Sequence, residues 1–182
     1  MRFLLLALLA SGGLPTAFAQ PATTPADTVA TRLQLPKADC ALFPAAATIP
    51  SSDVFESDYK PGMERFAPTA EQVTQAEAAL PAVQFDRVSA RPEPTDNYDD
   101  YPVIIKKHLA DYQRQYYGFI DKHKHPCLFI NFFIEKHDDV PGQPPYWLNH
   151  AVRLQDGGWE YWSIYYDLNA HKFFHFEHSQ EG

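Results

Sequence analysis

All eight histidines fall at or after His108, and such a cluster first suggests a metal centre, because imidazole is a common ligand of zinc and related ions. Spacing argues against most of it. His171 and His175 would share a helix face, but on a strand four residues span about 13 Å, too far to chelate one ion. His175 and His178 point to opposite faces. His123 and His125 fit better, since i and i+2 in an extended segment lie about 7 Å apart on one side. Lys122 and Lys124 flank that pair and repel a cation. The pair reads as a solvated hairpin tip, with no metal and no other cofactor expected.

Nucleophilic chemistry finds equally little support. Ser57-Asp58-Tyr59-Lys60 matches Ser-x-x-Lys, yet the companion motifs of penicillin-binding enzymes are missing. Gly-x-Ser-x-Gly, His-Glu-x-x-His, a phosphate loop and a dinucleotide fingerprint are absent too. Cys127, beside Pro126 and near His125, could be imagined as a thiolate with a base, but its place at the start of an apolar run marks it as packed or disulfide-bonded. Asp156, Glu160, Asp167 and Glu177 lie among Trp and Tyr residues, a mixture suited to carbohydrate. Glycoside hydrolysis needs two carboxyls facing each other across a cleft, and a sheet of about five strands offers little cleft. No catalytic residue is assigned.

The elements that would position these groups begin after an export signal. Arg2, the apolar stretch Phe3 to Ala10 and the small-residue pattern Ala17-Phe18-Ala19 predict a signal peptide over residues 1–19, cleaved before Gln20. The apolar run is too short to span a bilayer. A mature chain of about 163 residues is expected, secreted or periplasmic, with no membrane span. The net charge of −8 and the scarcity of clustered Lys and Arg disfavour nucleic acid as a partner. In an oxidising compartment Cys40 and Cys127 are candidates for one disulfide, which would close roughly 86 residues and stabilise the fold by about 4 to 5 kcal/mol. The alternative is two buried free thiols.

Residues 20–65 are rich in Pro and Ala, predicting a disordered linker to about residue 35 and then an irregular segment around Cys40, Leu42 and Phe43 that docks on the domain. The domain proper is expected over 66–182. Pro68-Thr69-Ala70-Glu71-Gln72 is a capping box, so a helix should run from 70 to 80, with Val73, Ala76 and Leu80 on one face and Pro81 ending it. Residues 91–102 read as a solvated acidic loop, and a second helix is expected from Val103 to about Tyr112. From Arg114 the period changes to two, predicting strands at 114–120, 127–134, 147–154, 159–167 and 172–178. One or two helices followed by an antiparallel meander make an α+β domain.

Seventeen of the twenty-six Phe, Trp and Tyr residues lie between Tyr112 and Phe176. The strands are aromatic on both faces, so a second cover is required. It could be the chain's own segment around residues 38–66, a second copy in a homodimer, or a protein or glycan ligand held by Phe129, Phe133, Trp159, Tyr161 and Tyr165, because Tyr and Trp suit interfaces. The reading adopted is an exported, non-enzymatic binding or structural module using that aromatic sheet face. A small secreted hydrolase with a curved-sheet pocket is the alternative.

The segments Tyr112-Gln113-Arg114-Gln115-Tyr116-Tyr117-Gly118, Ile130-Asn131-Phe132-Phe133 and Asp156-Gly157-Gly158, followed by Tyr161-Trp162, Ile164 and Asp167-Leu168, resemble in order and spacing a group of small exported bacterial proteins to which no activity is attached. The resemblance covers about residues 66–182. The helix-then-meander order also looks like the cystatin-like arrangement, or alternatively a nuclear-transport-factor-like curved sheet. The cystatin inhibitor signature Gln-x-Val-x-Gly is missing where Asp121-Lys122-His123-Lys124-His125-Pro126 stands, so protease inhibition is not implied.

Overall fold

A computed structural model describes residues 29–50, 63–89, 100–134, 142–153 and 157–178. The expected signal peptide, Ser57 to Lys60, most of the expected acidic loop and Asp156 lie outside the described residues. The chain forms an α+β domain around an open, mixed sheet that is mostly antiparallel. Its strands are β1 (Thr31–Leu35), β2 (Ala38–Leu42), β3 (Arg65–Phe66), β4 (Gln113–Ile120), β5 (Pro126–Phe133), β6 (Tyr161–Asp167) and β7 (Lys172–His178). The spatial order is β1-β2-β4-β5-β6-β7, with β3 alongside β4.

The first helix, α1 (Ala70–Ala79), begins where its capping box predicts. The Thr69 hydroxyl accepts from the Gln72 amide at 3.2 Å, and the Thr69 amide donates to the Gln72 side chain at 2.9 Å. A short α2 (Phe85–Val88) follows, then α3 (Tyr101–Lys107). The last starts two residues before the expected Val103, because Pro102 sits comfortably in a first turn, and ends five residues short of Tyr112. His108 closes it, its ring Nδ1 lying 2.8 Å from Asp111 Oδ2 within the following turn.

The meander from β4 to β7 is antiparallel throughout. Aspartates build both of its hairpin turns: Asp121 Oδ1 accepts from the His123 and His125 amides, and Asp167 Oδ1 from those of Asn169 and Ala170. The outer edge of β4 is shared. Its first half pairs in parallel with β2, from Gln113 to Tyr116, and its second half antiparallel with β3. Gly118 permits the latter, because a Cβ there would lie 2.6 Å from both the ring and the carbonyl oxygen of Phe66. Arg65 secures the crossing by donating to Gly118 O at 2.7 Å and Ala47 O at 2.9 Å.

Three expectations are corrected. Residues 31–42, read as linker and irregular coil, form the β1–β2 hairpin, which adds two strands to the sheet. The expected strand at 147–154 is instead a helical turn, α4 (Tyr146–Asn149), followed by extended chain laid across the sheet. Both edges of β5 are already taken by β4 and β6, so no ladder is open to it there. Cys40 and Cys127 are buried thiols with no disulfide between them. Cys40 sits opposite Arg114 and Cys127 opposite Phe119. Five positions of β4 amount to roughly 17 Å and place the thiols on opposite faces, beyond any disulfide.

Alternation sorts the core. One face carries Cys40, Leu42, Tyr116, Leu128, Ile130, Phe132, Trp162, Ile164 and Tyr166, covered by Val73 and Ala76 of α1, Phe85 of α2 and Ile105 of α3. The other carries Ala41, Tyr117, Phe119, Cys127, Phe129, Phe133 and Tyr165, covered by Phe43, Ala47 and Ile49 and by Trp147, Leu148 and Val152.

Candidate functional site

The aromatic face expected to bind a ligand is therefore mostly covered by the chain itself. Phe129 and Tyr165 are each 3% exposed and Phe133 is fully buried. Phe43 stacks on Tyr117 at 4.6 Å, and Trp147 meets Phe133 edge-on at 6.3 Å. Trp159 is not on this face at all. It lies in the turn before β6, packs against the opposite core, and accepts the Tyr112 hydroxyl on its carbonyl at 2.7 Å.

The cover is pinned by two buried amides. Gln115 Nε2 donates to the carbonyls of Trp147 at 2.7 Å and His150 at 2.6 Å, while its Oε1 accepts from the Val152 amide at 2.9 Å. Asn131 Nδ2 donates to Val152 O at 2.9 Å. These side chains act as a substitute strand edge, satisfying backbone groups that no ladder serves. On the opposite face, Arg114 plays the equivalent part. It pairs with Glu77 of α1 at 2.7 Å and donates to the carbonyls of Tyr112 and Leu109, each at 2.6 Å. Burial pushes the Glu77 carboxyl up from its ordinary range against the pull of Arg114 and of the Tyr116 hydroxyl, which donates to it. Locked under a helix, this carboxylate is structural.

One part of the second face stays partly open, along β6 and β7. The register between these strands slips between Ser163 and Tyr165, and His175 adopts a left-handed φ of 55°. That conformation costs a non-glycine residue about 1–2 kcal/mol, and β-bulges of this kind commonly re-aim a side chain. Here the bulge brings the His175 ring onto Tyr165, stacked at 5.2 Å, and its Nε2 to 3.0 Å from Glu177 Oε1. Phe174 also packs against Tyr165, its ring tilted at 5.4 Å, and Ser163 sits opposite Glu177. Tyr161 continues the strip, its hydroxyl donating to Val152 O at 3.3 Å; burial pushes its pKa up to about 12 despite Arg153 nearby. Tyr161, Ser163, Phe174, His175 and Glu177 are all half-buried.

Of the five residues expected to bind, only Tyr161 belongs to this strip, and Tyr165 lies buried beneath it. In the sequence His175 pairs with His171 and His178 only as an ill-spaced metal ligand, and Glu177 stands among four carboxylates near Trp and Tyr residues, so neither reading joins the two. The signal that unites them is in Phe173-Phe174-His175-Phe176: strict alternation would put Phe173 and Phe176 on opposite faces, yet both pack against the first core, which requires an extra residue between them.

The other candidates are less well built. The His123 and His125 rings are 6.3 Å apart, and His125 Nδ1 lies 3.2 Å from Asp167 Oδ2. Among the described residues no three His, Cys, Asp or Glu are grouped to hold a metal. An open hollow of about 360 Å³ between α2 and α3 is lined by Val83, Phe85, Val103, Lys106 and Lys107 among others, with no histidine and only Asp86 as a carboxylate. No helix among the described residues is long and apolar enough to cross a membrane. No family model, no curated protein and no solved structure matches the chain.

Proposed function

We propose that the protein is an exported, non-enzymatic binding module, and that its contact with ligand is the β6–β7 strip rather than the whole aromatic face. The observation that carries this reading is the His175 bulge. A strained residue in β7 turns an imidazole and a carboxylate onto a part of the face that the described residues leave partly open. The sealed centre supplies rigidity, and the buried amides and the Arg114–Glu77 pair hold the covers in place. The helix-then-meander order supports kinship with the cystatin-like arrangement and with small exported bacterial proteins of that build, here with an N-terminal hairpin added to the sheet.

The test is amide chemical-shift mapping of the mature chain during titration with pooled peptides and oligosaccharides. Perturbations centred on 161–163 and 174–177 are expected, and they should vanish in a Phe174→Ala/His175→Ala variant that keeps its fold. Shifts centred on the α2–α3 hollow, or none anywhere, refute the reading.

A further inference from the structure

We infer that the hollow between α2 and α3 binds a small amphiphilic carboxylate, its apolar body in the hollow and its head group on Lys106 and Lys107. This is a second site, apart from the strip: α2 and α3 cover the first sheet face, whereas the strip lies on the second. The floor is apolar and fixed. Val83 and Phe85 are 7% and 2% exposed. Phe85 packs edge-on against Trp162 at 5.3 Å and tilted against Phe176 at 4.9 Å, so the floor rests on the core.

The wall breaks the amphipathic pattern of α3. Tyr101 and Ile105, four residues apart, are its buried positions, as a helical period requires. Val103 is 68% exposed, the most exposed large apolar side chain among the described residues. A lone exposed valine is ordinary, but this one lines a hollow of about 360 Å³ together with Pro102, Val83 and Phe85. Small-molecule sites start at about 300 Å³ and are mostly apolar with a few placed polar groups.

The rim supplies those groups. Lys106 and Lys107 stand three and four residues after Val103, so the three side chains are neighbours on one helix surface, about 5–6 Å apart at their Cβ atoms. The Lys106 ammonium, able to donate three hydrogen bonds, makes one long contact, 3.5 Å to Val83 O. Among the described residues neither lysine is ion-paired, and nor is Asp86 on the α2 side. Lysines in a last helical turn are favourable in any case, because they face the negative end of the helix dipole. That accounts for the charges, not for the apolar hollow beside them. Asp86 and the carbonyl end of α3 repel an anion, which holds the head group to the lysines and lays the apolar body along Val103.

The experiment is amide chemical-shift titration of the full mature chain with sodium octanoate, hexanoate, octanol and octylammonium. Octanoate should shift 83–86 and 102–107 saturably at millimolar concentration and leave 161–163 and 174–177 unmoved. Hexanoate should bind about tenfold more weakly, since each buried CH₂ contributes roughly fourfold at most. Octanol should bind about fivefold more weakly, as two exposed ion pairs would give, and octylammonium not at all. Lys106→Met/Lys107→Met keeps the aliphatic stems and should erase the preference for octanoate over octanol. Val103→Asp, at an exposed position, should abolish octanoate binding with the circular dichroism spectrum unchanged. The inference is overturned by no saturable shift at the hollow, by octylammonium binding as well as octanoate, or by a preference for octanoate that survives loss of both lysines.

Discussion

Replacing Gln115 by Leu tests whether the second sheet face is sealed by the chain's own cover. Leu has similar volume but offers neither donor nor acceptor, so the carbonyls of Trp147 and His150 and the amide of Val152 lose their buried partner together. An orphaned buried polar group costs about 1–3 kcal/mol. Three such groups, with some turning toward water as the 146–152 segment loosens, amount to about 4 kcal/mol. For a domain of this size that lowers Tm by roughly 8–16 °C. The loosened cover should also bare Phe129, Phe133 and Tyr165, so dye binding to apolar surface should rise below the main transition. Gln115→Glu separates polarity from geometry, because a carboxylate can still accept from Val152 but cannot donate to either carbonyl, and should cost at least as much. Urea unfolding followed by tryptophan fluorescence and by far-ultraviolet circular dichroism measures both variants. A loss under about 1 kcal/mol for Gln115→Leu would show that the segment is held by Trp147 and Leu148 packing alone, and the substitute-edge reasoning would fail.

On the other face, Arg114→Met leaves the Glu77 carboxylate buried without its cation and should cost about 3–5 kcal/mol, whereas Glu77→Leu with Arg114→Met should fall near wild type or above it. Because burial already raises the Glu77 pKa, its ionised form opposes folding above the folded value, and the opposition disappears as pH falls below the ordinary 4.5 of the unfolded chain. The Arg114→Met penalty should therefore shrink between pH 7.5 and pH 4.5 in urea melts, and a pH-independent penalty would contradict the assignment. For the cysteines, thiol titration of the denatured, unreduced protein should find both Cys40 and Cys127 free, and reductant should leave Tm unchanged. In the native protein Cys40 should resist alkylation at pH 8, since burial and the nearby Glu77 push its thiol up to about 12.

Local signals wrote α1 and the meander plainly into the sequence. The capping box at Thr69 and Gln72 is a four-residue pattern, and the strands around Ile130 and Ile164 alternate with period two. What escaped depends on partners far along the chain. Arg32, Leu33 and Gln34 among alanines and prolines say nothing of a strand until β4 offers an edge to β2, and that parallel pairing joins Cys40 to Arg114 across more than seventy residues. Trp147 and Leu148 read as strand residues because a covering segment and a strand bury apolar side chains alike. The difference lies in where the backbone bonds go, and Gln115 and Asn131 decide that.

The same two amides explain why an aromatic face that looked like a binding surface is mostly core. Polar side chains at Gln115 and Asn131, which face each other across the two central strands, would be costly under an apolar ligand, which leaves them unsatisfied. Against an irregular segment of the chain they are needed, because that segment brings carbonyls and amides with no ladder to satisfy them. Buried polar residues in the middle of an aromatic strand therefore point to a cover made of backbone, and the open site belongs where such residues stop. On this sheet that boundary falls beyond Asn131, at Ser163 and Glu177, where the polar side chains are no longer fully buried and the His175 bulge begins.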